Sequence, residues 1–283
     1  MTHIKSLEII IGKTDRWPAS CYLAHLVEVW RQVGINIRVA STPSDRGADL
    51  GFMHVDLTHL PRTYRDFANQ YAYCINGNIV DISKTSYSLD LIQQTSNWEG
   101  PVILKTVLNY AGLPELNLRY GRLGGRLAKK LMKHNPWHYT KRFMSVDYPI
   151  FNNKNEVPEW AWRNRDLIVE RFVPEMVDNL YAIRYWMFLG DCEYVVRFCS
   201  PDPIVKARNA VRREVLSEIP GTLRKKREEL QMDYGKFDFV VHQGEAILLD
   251  INKTPSSPPF QKGQPPSQKA QMLAQGLHGL IWR

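Results

Sequence analysis

The segment Tyr234-Gly-Lys-Phe-Asp-Phe-Val-Val-His-Gln-Gly-Glu-Ala-Ile-Leu-Leu-Asp-Ile-Asn-Lys-Thr-Pro255 holds two short apolar runs, 237–241 and 246–251, on either side of a polar turn that contains Gly244. That pattern predicts a β-hairpin of two half-buried strands. Each run carries an acid where a core strand should carry none. Side chains alternate between the faces of a strand, so Asp250 and Asn252 share one face, with Leu248 and Ala246 further back on it. A three-residue loop, 243–245, pairs His242 with Ala246 and sets Asp238 directly across from Asp250. Like charges facing each other across strands are destabilising, and burial makes both harder to ionise. A divalent cation resolves the conflict. Mg2+ takes oxygen ligands, usually one or two carboxylates plus phosphates, and the amide oxygen of Asn252 adds a neutral donor. An edge hairpin with its acids in solvent satisfies the same alternation, so the choice rests with the other parts of the chain.

A chain of 283 residues has room for two domains, or for one with an extra lobe. With 44% apolar and 23% charged residues it has the composition of a globular protein rather than a disordered one. The formal net charge of +8 suits an anionic partner, and a nucleoside triphosphate meets that as well as a nucleic acid does. Cys21, Cys74, Cys192 and Cys199 form no Cys-x-x-Cys pair and have no histidine at zinc spacing, which points to reduced thiols, mostly buried. The opening Met-Thr-His-Ile-Lys lacks the apolar core of a signal peptide, and no apolar run reaches membrane-spanning length. The expected compartment is therefore the cytoplasm, with no membrane partner.

Residues 7–11 are a largely apolar, β-branched run, followed by a loop at 12–18 and by the helical pattern Tyr22, Leu23, Leu26, Val27, Trp30, which Gly34 ends. Strands are expected at 35–40 and 50–55, a helix at 64–73 and an extended piece at 79–82. This alternation predicts a small parallel sheet covered by helices. Ligands approach such sheets at the carboxyl ends of the strands, where His54, Asp56 and the loop 12–17 fall. A capped strand end and a surface loop are the other reading of those residues.

A second unit begins near Lys84, with a short helix expected at 88–95 and a strand at 100–106 that carries Lys105. Segment 119–142 is the most basic, with Arg119, Arg122, Arg126, Lys129, Lys130, Lys133, Lys141 and Arg142 among Trp137, His138, Tyr139 and Phe143. It fits a solvated helix, a surface for single-stranded nucleic acid, or a mobile lid pivoting at Gly121, Gly124 and Gly125. Next come a strand at 167–175 broken by Pro174 and a hairpin of 181–189 with 193–198. That hairpin carries Arg184 and Arg197 on otherwise buried strands, and arginine is rarely buried without a partner. A charged helix is expected at 211–230. After a Pro-, Ser- and Gln-rich loop, Ser267 is placed to cap a last helix running to about Ile281.

Taken in order, a strand ending in Lys105, a strand ending in Glu170-Arg-Phe172, an arginine-bearing hairpin, and Asp238 followed by Asp250-x-Asn252 resemble the ATP-grasp superfamily. The resemblance covers residues 84–257. It implies an α/β (α+β) fold: a small parallel α/β domain at 1–83, a first ATP-grasp lobe at 84–169 with 119–142 as a basic lid, and a second lobe at 170–283. By this resemblance ATP lies between two sheets, and Mg2+ bridges its phosphates to Asp238, Asp250 and Asn252, with Asp in place of the more usual Glu at the second acid. Lys105 corresponds to a lysine on the nucleotide phosphates and Lys84 to an earlier lysine. Glu170, Arg171 and Phe172 correspond to the segment whose backbone meets the adenine, and Asp178 or Glu175 to an acid that holds the ribose. Arg184 and Arg197 correspond to cations that reach the phosphates, with Lys206 or Asn209 in the same group. The loop Asn109-Tyr-Ala-Gly-Leu-Pro114 departs from the plain glycine-rich run of the family.

The implied activity is an ATP-dependent carboxylate-amine ligase that uses ATP and Mg2+ to form an amide or peptide bond through an acyl phosphate. Its partners would be small-molecule or peptide carboxylates and amines. Phosphoryl transfer asks the protein mainly for positive charge around the phosphates and an in-line acceptor, and no Ser-His-Asp or Cys-His set is needed. A small-molecule kinase of the same fold is the nearest rival. A nucleic-acid-binding protein using 119–142 and an inactive nucleotide sensor are the others.

Overall fold

The structure, a computed structural model, describes residues 4–15, 17, 20–44, 47–143, 148–261 and 263–280. Arg16 and Pro18 of the expected loop, and Ile281 at the expected end of the last helix, lie outside the described residues.

The N-terminal unit comprises β1 (Ser6–Ile11), α1 (Tyr22–Gln32), β2 (Asn36–Ala40), β3 (Leu50–His54), α2 (Arg62–Ala68) and β4 (Cys74–Ile75). The strands run in the order β2-β1-β3-β4, every pairing parallel. Leu23, Leu26, Val27 and Trp30 recur at helical spacing and are all buried against the sheet. Gly34, at φ +87°, takes the left-handed position just beyond α1. The extended piece expected at 79–82 forms an isolated bridge from Asp81 to His59, and the short β4 supplies the fourth strand.

The first lobe holds α3 (Lys84–Tyr87), β5 (Val102–Thr106), α4 (Leu113–His134), α5 (Trp137–Thr140), β6 (Ile150–Phe151), α6 (Glu159–Trp162) and β7 (Leu167–Arg171). Its antiparallel sheet, ordered β6-β5-β7, packs on Val157, Ala161 and Phe143 to make a core of its own. No helix forms at 88–95. That segment runs extended along β7, where Ile92 donates to the Val169 carbonyl and Arg171 donates to the Asp90 carbonyl. Within the basic segment, α4 breaks at Gly121 (φ 69°, ψ 172°), a conformation essentially confined to glycine.

The second lobe holds β8 (Glu175–Val177), β9 (Leu180–Leu189), β10 (Cys192–Ser200), β11 (Arg212–Leu216), α7 (Gly221–Glu229), β12 (Tyr234–His242), β13 (Glu245–Asn252), α8 (Gln268–Ala274) and α9 (Gly276–Gly279). Five strands follow the order β11-β10-β9-β12-β13, and β8 joins at β9. The helix expected over 211–230 is half strand: β11 pairs with β10, and the turn before α7 ends it. Ser267 caps α8, its Oγ accepting from the Ala270 N–H at 3.2 Å.

The N-terminal unit and the second lobe share one core. Met187, Leu189 and Tyr234 pack with α8, α1 and β1, and the Trp30 indole donates to the Ala274 carbonyl at 3.0 Å. Asn76 adds a polar clamp, donating to the Tyr234 carbonyl and accepting from the Asp233 and Tyr234 N–H groups. All four cysteines are free, Cys21 and Cys199 buried and Cys74 and Cys192 half-buried. Among the described residues no helix is long and apolar enough to cross a membrane.

Candidate functional site

The site is built on β12 and β13. They are joined by a two-residue turn, Gln243 (φ 51°) and Gly244 (φ 85°), both left-handed as a tight hairpin requires. This replaces the expected three-residue loop, and His242 pairs with Glu245. A regular ladder from there would set Asp238 opposite Leu249. A β-bulge between Asp238 and Phe239 absorbs one extra residue of β13, and Asp238 lies opposite Asp250 after all. The bulge also corrects the expected faces. Ala246 and Leu248 pack with Phe237, Phe239 and Ile251, so Asp250 and Asn252, the neighbours of Ile251, point to the other side.

On that side Asp238 is buried at 6% exposure. Burial foremost pushes its carboxyl pKa up; Lys236 pulls it back, and Asp250 adds to the rise. Lys236 Nζ lies 2.8 Å from Asp238 Oδ1, and Lys84 Nζ 3.3 Å from Asp250 Oδ1, yet neither oxygen has a hydrogen-bond partner. The Asn252 amide oxygen accepts from the Thr254 N–H at 3.0 Å and keeps a second lone pair.

Four lysines converge on these acids. Lys84 and Lys105 are buried at the first-lobe side: Lys84 also donates to Asn109 Oδ1 at 3.0 Å, and Lys105 Nζ meets Glu170 Oε2 at 2.6 Å. Lys105 and the Tyr87 hydroxyl both reach the Leu249 carbonyl, at 3.5 and 3.4 Å, so the bulge residue ties the two lobes together. Asn109 does the same through the Ile251 carbonyl at 2.7 Å. Lys236 lies over the Tyr185 ring at 3.9 Å. Lys206 completes the group. Burial lowers its pKa, and Asp238 and Asp250 oppose that shift. Tyr185 and Tyr148 line the same space; burial first, then nearby carboxylates, raise both hydroxyls.

The donor chemistry fits a hard divalent cation: two carboxylates and an amide, with two unpartnered carboxylate oxygens. Among the described residues no group of three or more His, Cys, Asp and Glu is arranged to hold a metal ion by itself. The protein thus offers a small donor set, which suits an ion that also takes phosphate and water oxygens.

Other expected site residues lie elsewhere. Arg184 pairs with Phe239 and Arg197 with Arg184 across their strands, so both point to the face opposite Asp238, which pairs with Tyr185. There Arg184 forks onto Glu175 at 2.8–3.0 Å, and Arg197 bonds Glu214. Their expected reach to the phosphates is corrected by one step of strand alternation. Asp178 occupies the left-handed β8–β9 turn and pairs with Arg212 at 2.8 Å. Arg212 is on β11, three strands from β12, or about 14 Å in sheet spacing. Glu175 is buried and engaged by Arg184, so neither acid is placed for a ribose. The N–H groups of Arg171 and Phe172 are already donated to the Asp90 and Pro101 carbonyls, and therefore are not free for an adenine edge. Asn209 holds its own loop, accepting from the Lys206 N–H at 2.7 Å.

At the ends of the parallel strands a second polar group adjoins the hairpin. Thr254 Oγ1 donates to Asp56 at 2.7 Å. His54 is buried with Nδ1 unpartnered, and burial, with Lys253 second, takes its pKa down to about 3. Burial and then Asp56 raise the Asp15 pKa to about 6, with Arg122 of α4 countering. Glu115, in the first turn of α4, accepts from the Thr58 N–H at 2.7 Å. A cavity of about 730 Å³ lies away from all of this, against α7 and Tyr71, where Arg224 is paired with Glu193.

Sequence reasoning missed Lys236, Tyr87, Asn109, Tyr148, Tyr185 and Lys253. Lys236 was findable, two residues before Asp238 on the same strand face. The tyrosines carry no such mark.

No family model and no curated protein matches the chain. Solved structures do. The ATP-grasp ligase PsnB complexed with minimal precursor is 10% identical over 99% of this chain and 100% of that one, with a TM-score of 0.53. A RimK domain protein ATP-grasp from Sphaerobacter thermophilus DSM 20745 is 10% identical over 97% of this chain and 100% of that one, at 0.48. D-cycloserine synthetase DcsG is 12% identical over 97% and 99%, also at 0.48. The chain has the fold of the ATP-grasp superfamily. Within it, the fold class is α+β, a parallel N-terminal sheet beside two antiparallel ones.

Proposed function

We propose that this chain is an ATP- and Mg2+-dependent ligase that joins a carboxylate to an amine through an acyl phosphate. The observation that carries this reading is the opposition of Asp238 and Asp250 on one sheet face, with Lys84, Lys105, Lys206 and Lys236 gathered around them. Asp238, Asp250 and Asn252 would hold Mg2+, which when bound neutralises phosphate charge. The lysines bind the phosphate oxygens and stabilise the charge that spreads over the transferred group. A carboxylate oxygen of the substrate attacks the γ-phosphorus, and the bond to the ADP oxygen breaks. An amine then attacks the acyl carbon, loses its proton, and phosphate departs with its bonding electrons. Tyr87, Tyr148 and Tyr185 exclude water, to which an acyl phosphate is vulnerable.

The test is incubation with ATP, Mg2+ and pooled amino acids and peptides, reading ADP and new masses together. An amide product with amine-dependent ADP release is expected. ADP formed at the same rate without any amine, with a phosphorylated product, would identify a kinase and overturn the ligase reading.

A further inference from the structure

Lys253 follows the Asn252 of the metal set, in a turn whose sequence reads as surface. Its side chain is nonetheless 2% exposed, and its Nζ has no hydrogen-bond partner. The flanking residues are fixed: Asn252 by the Thr254 N–H, and Thr254 by Asp56. Beside it His54 is equally buried with an unpartnered Nδ1, at the carboxyl end of β3 where a parallel sheet receives ligands. Carboxylates near enough to act on Lys253 balance its charge, but its buried N–H donors find no acceptor; such a group is costly to leave unbonded, and it points to an oxygen acceptor that arrives with a ligand.

We infer that Lys253 binds a carboxylate of the organic substrate, making it a specificity-determining residue for the reaction proposed above, on which this inference rests. The charges around it select among anions. Asp56, Glu115 and Asp81 are all close enough to act on Lys253, and Asp15 lies next to Asp56. These acids keep Lys253 charged, and their repulsion weighs about twice as heavily on a phosphate dianion as on a single carboxylate. The phosphates have their own lysines, Lys84, Lys105, Lys206 and Lys236. His54, held neutral by burial, offers a ring nitrogen to a second oxygen of the same group.

The test uses the full chain with Mg2+ and a non-hydrolysable ATP analogue, titrated calorimetrically with acetate, succinate and L-glutamate, and with acetamide, succinamide and L-glutamine as neutral counterparts. At least one carboxylate should bind about tenfold or more tightly than its amide, the weight of a charged hydrogen bond. Lys253→Met should erase that preference and leave the affinity for the ATP analogue unchanged. Failure of every carboxylate to bind, or an undiminished preference in Lys253→Met, would overturn the assignment. If Lys253→Met does not fold, Lys253→Gln, which keeps a polar head group and removes the charge, makes the same comparison, and an undiminished preference there overturns the assignment. Loss of binding by the ATP analogue itself would instead sink the ligase reading, so the two failures are distinguishable.

Discussion

Asp238 and Asp250 face each other across β12 and β13 although the turn that joins those strands is one residue too short to bring them level. The extra residue is supplied at the bulge, and its exposed carbonyl, that of Leu249, is what Lys105 and Tyr87 reach from the other lobe. One irregularity thus aligns two acids and anchors the opposite wall of the cleft.

The burial of Asp238 beside another acid sets stability against function. Its folded pKa is raised, so the folded state holds the proton more tightly than the unfolded one. Stability from this group is present at low pH and declines as pH rises from 3.8 through the folded pKa. Asp238→Asn should therefore match or exceed the wild-type melting temperature at pH 8, with a gap that closes toward pH 4. It should abolish the stabilisation produced by Mg2+ and ATP together. A variant that keeps that stabilisation would remove Asp238 from the metal set.

Lys105 is tied to Glu170 and to the Leu249 carbonyl in a buried setting. Lys105→Met leaves Glu170 as an uncompensated buried carboxylate and should cost about 3 kcal/mol of stability. Lys105→Met/Glu170→Gln should recover most of it. Nucleotide affinity should fall in both variants, and undiminished affinity by titration would count against a phosphate contact.

Arg184 separates a structural from a catalytic arginine. Arg184→Met should destabilise by about 3 kcal/mol, because Glu175 loses its guanidinium fork. At a temperature where the variant is folded, its KM for ATP should stay within about twofold of wild type, since the side chain points away from the acids. A loss of turnover without loss of stability would contradict the face assignment.

His54 governs part of the acid limb of the stability curve. Its ordinary pKa of 6.5 falls to about 3 on folding, so between those values the unfolded chain binds the extra proton and stability decreases as pH falls. The upper bound is about 5 kcal/mol. Asp15, raised to about 6, works in the opposite sense over 3.8 to 6. His54→Gln should leave stability at pH 7.5 similar and make it fall less than wild type between pH 6.5 and pH 4, as measured by urea denaturation. Parallel curves would show that His54 protonates in the folded state.

The hairpin, the parallel strands and Lys105 were legible because a period of two, a glycine turn and a lone charge in an apolar run leave local marks. The bulge was not, since one additional leucine in a row of apolar residues changes no composition; the pairing of Asp238 with Asp250 was expected from a loop length the chain does not use. β11 hid behind charges because an edge strand carries them on both faces, Arg212 and Glu214 half-buried and Arg213 exposed, and Arg-Arg-Glu-Val-Leu then resembles a helix face. Which way Arg184 points required the register of β9 on β12, a relation between segments about fifty residues apart that no local pattern encodes. Lys253 looked like an ordinary turn lysine because the acids that act on it, Asp56, Asp81 and Glu115, are distant in the chain.

The β6-β5-β7 sheet keeps a core to itself, whereas the N-terminal unit and the second lobe are fused through Trp30, Tyr234 and α8. The acids, Lys253 and His54 therefore sit on a common base, to which Tyr87 of α3 is also packed. Lys105 rests on the separate core and the carboxylates on the fused one, so the two halves of the site stand on different foundations.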